Sequence, residues 1–172
     1  MAVERPYPPP AASERETLMA FLAFHRATLR MKCDGLTAEQ LRMRSVPPST
    51  MSLLGLVRHL AEVERNWFRR GIAGEDAPPI YYSEEDPDGE FSVDGADPDE
   101  AFLTWQRECD AADAIAAAHS LDDIDTRPGE EGDSLRWILV HMSLDHCTAY
   151  APPRWTRSFA RPASKTRHES ST

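Results

Sequence analysis

The stretch SLLGLVRHLAEVERNWFRRG, residues 52–71, decides the fold. Set at about 100° per residue, Leu53, Leu56, Val57, Leu60, Val63, Trp67 and Phe68 share one face, as a helix packed against a core requires. Gly71 reads as its end, taking a left-handed conformation at the C′ position. His59 stands at the edge of the stripe, on the side shared with Leu56 and Val63, where it can look into a bundle without filling its centre. Glu64 falls near the middle, between Leu60 and Trp67. A carboxylate there must be paired or must change its pKa, because an isolated buried charge is too costly. The other reading is a glutamate at the bundle end whose head reaches water.

Upstream, Ser13 reads as an N-cap with Glu14 and Glu16 in the first turn, opening a helix to about Gly35. Its inner face carries Leu18, Leu22 and Leu29, flanked by Phe21 and Phe24, and His25 falls within that stripe. Thr37 and Gln40 form a capping-box signal for a helical turn to about Arg44, which Pro47 and Pro48 stop. Residues 1–12 hold four prolines and read as a flexible extended arm.

Downstream, Gly71 to Gln106 contains no Lys or Arg and eleven acids, with Pro78, Pro79, Pro87, Gly89 and Gly95 among them. This predicts a long acidic crossover, solvated and tacked to the bundle by Tyr81, Tyr82 and Phe91. Its segment DPDGEFSVDGAD, residues 86–97, lacks the ligand spacing and closing Glu of an EF-hand loop. Asp97, Pro98 and Glu100 start a further helix that runs through Trp105, Cys109 and Ile115 to about Ala118. Ser134 caps the last, SLRWILVHMSLDHCTAY, with Leu135, Ile138, Leu139 and Met142 on its core face and Pro152 and Pro153 beyond it. His141 and Asp145 lie one turn apart at the edge of that face. The expectation is an all-α, up-and-down four-helix bundle over residues 13–150, with the acidic crossover between its second and third main helices. Residues 151–172 carry five basic residues against one acid and no Leu, Ile, Val or Met, and read as an irregular basic tail.

A length of 172 residues fits one domain, and 41% hydrophobic residues suffice for a core. The formal charge of -10 argues against binding a nucleic-acid backbone. Cys33, Cys109 and Cys147 are widely spaced without a CxxC pair, which fits free thiols in a reducing cytoplasm. No basic region followed by an apolar core opens the sequence, and no apolar run approaches the roughly 18 residues of a membrane span. A soluble, cytoplasmic protein without membrane partners is expected.

Three side chains can be brought together by such a bundle: His59 from one helix, and His141 with Asp145 from the last. Two imidazoles and a carboxylate suit zinc, nickel or ferrous iron and leave positions open for water or substrate. The segments FHRATLRMKCDGLTAEQLR, SLLGLVRHLAEVERNWFRRGIAGED and SLRWILVHM together resemble the DinB-like superfamily, specifically its actinobacterial mini-circle protein branch. The resemblance spans roughly Ser13 to Met142. It implies a four-helix bundle, often a dimer, with a divalent metal between the second and fourth main helices. It also implies a small-molecule substrate and, in some relatives, a low-molecular-weight thiol such as mycothiol or bacillithiol.

Carried over by position, His59 matches the metal ligand of the second helix and His141 a histidine at the start of the fourth-helix motif. The acidic position four residues on is Asp145. The histidine expected four beyond that is Ala149, and the Gly-His pair after it is replaced by APPRW. Three readings stay open: His141 substitutes as a ligand with His59 and Asp145; His146 or Cys147 is recruited through a helix distortion; or the scaffold persists as a non-catalytic binding bundle. His146 points about 100° away from Asp145 on an ideal helix, which disfavours recruitment. The change of composition after Met142 is also what an out-of-frame C-terminus would produce.

Overall fold

A computed structural model describes residues 3–44, 48–49, 51–127 and 132–148. The expectations for Pro47, for Ala149, for Pro152 and Pro153 and for the basic tail lie outside them.

The helices begin where their capping chemistry stands. In α1 (Glu14–Cys33) the Ser13 hydroxyl accepts the Glu16 N–H while the Glu16 carboxylate accepts the Ser13 N–H. Thr37 and Gln40 repeat this reciprocal box at α2 (Ala38–Arg42). Ser52 caps α3 (Leu53–Glu64) through Gly55 N–H. Asp97 caps α4 (Pro98–Ala118) through Asp99 N–H, with proline at the first helical position. Ser134 accepts the Trp137 N–H at the start of α5 (Leu135–Thr148).

The helix of residues 52–71 is not α throughout. From Arg65 to Ile72 it continues as a π-helix, a wider turn with i→i+5 hydrogen bonds. Gly71 lies inside this segment and does not serve as its left-handed cap. Its missing side chain admits the loop after α4, since a Cβ there would stand 2.9 Å from Asp125 Oδ2. The left-handed turn falls instead at Gly74, with φ 64.

Two apolar clusters are stacked along the bundle. One joins Leu29 and Cys33 of α1, Leu41 of α2, Leu54, Val57 and Leu60 of α3, and Ala101 and Trp105 of α4. The other joins Leu22, Phe68, Ile72, Ala112 and Ala116 to Leu135, Ile138, Leu139 and Met142 of α5. This distribution fixes the helix directions. Helices α3 and α4 both run from the first cluster to the second, whereas α1 runs the other way and α5 starts in the second. The all-α bundle is as expected, and the long crossover makes α3 and α4 a parallel pair, because it returns the chain to the end where α3 began.

Most of the crossover's acids face outward, Glu90 excepted, and its backbone is fastened to α3. The Glu62 carboxylate accepts both Ile80 N–H (2.7 Å) and Tyr81 N–H (2.5 Å). Arg58 donates to Ser92 O (2.7 Å) and lies 4.3 Å over the Tyr81 ring. Arg65 donates to Pro78 O and Arg70 to Tyr82 Oη. Val93 is drawn into the first cluster. The N-terminal arm is extended, as its prolines require, and lies along α1, with the Arg5 guanidinium 4.6 Å over Phe24 and Tyr7 edge-on to the same ring. Among the described residues no helix is long and apolar enough to cross a membrane.

Candidate functional site

His59 sits on α3 where the stripe meets the crossover. Its Nδ1 lies 3.3 Å from Glu90 Oε1, and its ring stacks on Phe91 with centroids 5.4 Å apart and planes 27° off parallel. Glu90 and Phe91 belong to the one-turn 3₁₀ helix Gly89–Phe91. Phe91 can approach α3 because residue 55 is glycine: a Cβ there would stand 3.2 Å from Phe91 Cδ1. Glu90 is buried. Burial pushes its carboxyl pKa up, but the His59 and backbone hydrogen bonds and the charges of His59 and Arg58 outweigh that and hold it below the usual carboxylate range.

His141 and Asp145 do meet, Nε2 to Oδ2 at 3.0 Å, one turn apart on α5. The imidazole is stacked on Trp137 at 4.7 Å and 13°, and stands edge-on to Trp67 of the π segment at 5.1 Å. The far face of this aromatic group is closed by Arg127, whose guanidinium lies 4.4 Å over Trp67 and is paired with the buried carboxylate of Asp125.

The register between α3 and α5 separates these two histidines. Trp67 meets His141, and Glu64 meets His146, so the helices are antiparallel and each step toward the start of α3 is a step toward the end of α5. By that register His59 stands beyond the level of Thr148, the last described residue of α5. His141 lies roughly 13 Å away along the bundle axis and Asp145 roughly 8 Å. A zinc ion holds its imidazole and carboxylate ligands at about 2 Å. His59 and His141 therefore do not converge on one ion, and among the described residues no group of three or more His, Cys, Asp or Glu is placed to hold a metal. The residues in place do not fit the three-donor centre that the motif implies.

Between the two apolar clusters lies a buried polar layer. Arg26 of α1 binds the fully buried carboxylate of Glu64 in bidentate fashion, Nε to Oε1 at 2.7 Å and Nη2 to Oε2 at 2.6 Å. Its Nη1 donates to Asp113 at 2.7 Å. The Cys109 thiol reaches Glu64 at 3.7 Å. Opposite, His146 is 0% exposed and its Nδ1 donates to Met142 O at 2.8 Å. Its Nε2 is buried without a hydrogen-bond partner, 3.6 Å from Glu64 Oε1. Burial holds the His146 pKa below its ordinary range, and burial together with the Glu64 charge pushes the Cys109 thiol up. His146 is thus a neutral core group facing Glu64, not a recruit to the side of Asp145.

Sequence reasoning found His59, His141 and Asp145 but missed Glu90, Arg26 and the placement of His146. Glu64 carried a signal, a charge at the centre of an apolar stripe, that demanded a partner without naming it. Glu90 carried none, being one of eleven acids between Gly71 and Gln106.

No curated protein and no solved structure matches the chain. The family described as Mycothiol-S-transferase matches residues 17–148, which run from the first turns of α1 to the end of α5. With three quarters of its length, most of α1 and all of α2–α5 inside that match, the chain belongs to the mycothiol-S-transferase family of the DinB-like superfamily.

Proposed function

We propose that this chain is a thiol-dependent transferase that brings a low-molecular-weight thiol such as mycothiol to a small organic substrate, near His59 and the C-terminal half of α5. The family match across every helix carries this reading. A mini-circle-type protein acting as a cytoplasmic homodimer, without nucleic-acid or membrane partners, completes the proposal on the strength of the sequence motifs and the charge.

The metal-dependent form of the reading puts zinc, nickel or iron on His59, His141 and Asp145. Motif position and the His141–Asp145 pair support it, and the axial distance to His59 weighs against it. That same distance favours a second reading, a non-catalytic bundle that binds the thiol or its conjugate after losing a ligand.

One set of measurements separates these readings. The full chain, produced with zinc, nickel or iron supplied, is assayed for metal by elemental analysis, for mycothiol binding by calorimetry and for conjugation of an electrophile to mycothiol. Binding with conjugation supports the transferase, and binding alone supports the second reading. One metal per chain, lost in His59→Ala together with conjugation, establishes the metal-dependent form. No binding of mycothiol, with or without metal, refutes both readings.

A further inference from the structure

Glu90 is a buried carboxylate with one oxygen against His59 and the other, Oε2, buried without a hydrogen-bond partner. Leaving such a group half-satisfied is costly, so its presence calls for a reason. Its setting is rigid. A Cβ on Gly89 would fall 2.2 Å from Tyr81 O, so the turn lies directly against the preceding stretch of the crossover. Ser92 is held by Arg58, and Val93 is locked in the first cluster. Phe91 fixes the plane of the imidazole by stacking and Glu90 fixes its rotation.

We propose that Glu90 is the positioning residue of His59: it accepts the Nδ1 proton, fixes the neutral ring as the Nδ1–H tautomer, and leaves Nε2 as the ligand-facing acceptor for a donor such as a thiol S–H. A carboxylate can only accept, so a hydrogen bond between it and Nδ1 places the proton on that nitrogen. Nε2 is then the atom on the edge of the ring away from Glu90, and the His59 side chain is 38% exposed, so that edge has access to solvent. On the helix His59 falls between Gly55, which faces the crossover, and Val63, which packs with the second cluster toward α5. The proposal rests on the functional reading above only in taking His59 to face the ligand.

Anchoring the crossover does not account for the pair. Glu62, Arg58, Arg65 and Arg70 already fasten that segment to α3.

The test is long-range proton–nitrogen NMR on the full chain with nitrogen-labelled histidine, free of metal and thiol, at a pH where the ring is neutral. His59 is assigned by the signals lost in His59→Gln. The expected wild-type pattern is a protonated Nδ1 and an unprotonated Nε2. Glu90→Ala, with its helix content checked by circular dichroism, should shift His59 toward the Nε2–H form. Glu90→Gln should restore the Nδ1–H form, because its amide oxygen still accepts. A wild-type His59 protonated at Nε2, or a folded Glu90→Ala with an unchanged tautomer, overturns the proposal. If Glu90→Ala does not fold, the wild-type and Glu90→Gln spectra decide it. Because no thiol is present, the result is independent of whether mycothiol binds.

Discussion

The Arg26–Glu64 pair is the most exacting test of the fold, because both groups lie between the apolar clusters and are 7% and 0% exposed. Removing one partner of a buried pair costs about 3–5 kcal/mol, since the other charge is left without compensation. The structure orders the two single variants. In Glu64→Leu, Arg26 keeps its bond to Asp113, whose side chain is 51% exposed and already hydrated, so the loss should sit near the lower end, about 3 kcal/mol. In Arg26→Met the carboxylate retains only the Cys109 thiol and a neutral imidazole, so the loss should approach about 5 kcal/mol. The double variant removes both charges and should fall within about 2 kcal/mol of wild type, because isosteric apolar replacement of a buried pair is close to neutral. Urea denaturation followed by circular dichroism measures all four proteins. The Glu64→Leu loss corresponds to a fall in Tm of about 6–12 °C for a chain of this size. Additive losses in the double variant, or a Glu64→Leu loss below about 1 kcal/mol, would refute the claim that this pair bridges the bundle.

Two further outcomes follow from neighbouring features. His146 has its native pKa held below the ordinary 6.5, so the unfolded chain binds a proton that the folded chain resists. The stability from its burial is therefore complete above about pH 6.5 and is lost as pH falls from there toward the depressed native value; urea midpoints between pH 8 and pH 5 should drop, and His146→Leu should flatten that part of the profile. Gly89→Ala places a Cβ within 2.2 Å of Tyr81 O, so the backbone must move; the expected cost is about 1–3 kcal/mol, and a loss under about 0.5 kcal/mol would show the turn to be free to adjust.

The helix starts were legible because a cap is local chemistry. Ser13 with Glu16, Thr37 with Gln40 and Asp97 with Pro98 each lie within four residues of one another, and each appears where it was read. The π segment was not legible. Its apolar stripe through Trp67 and Phe68 fits an α-helix equally well, and the neighbour that packs against Gly71 in that segment, Asp125, lies more than fifty residues away. Glu64 illustrates the intermediate case. Its position in the stripe predicted a partner, but choosing Arg26 over any other cation required the register between α1 and α3.

The candidate site divides along the same line. His141 and Asp145 could be paired by counting, since residues four apart on a helix face one another. Joining them to His59 required knowing where α5 stands along α3, and the Trp67–His141 and Glu64–His146 contacts put His141 about two turns from the level of His59. What His59 meets instead comes from the crossover, where composition suggested only a solvated connection. An acidic loop with nine carboxylates offers many partners in sequence, but the fastening of its backbone to Arg58, Glu62, Arg65 and Arg70 leaves Glu90 turned inward. Arg58 and Glu62 of α3, with Arg65 and Arg70 of the π segment, hold the stretch that carries Glu90. They place the one carboxylate that sets the ring of His59, and so determine which of its nitrogens a ligand can meet.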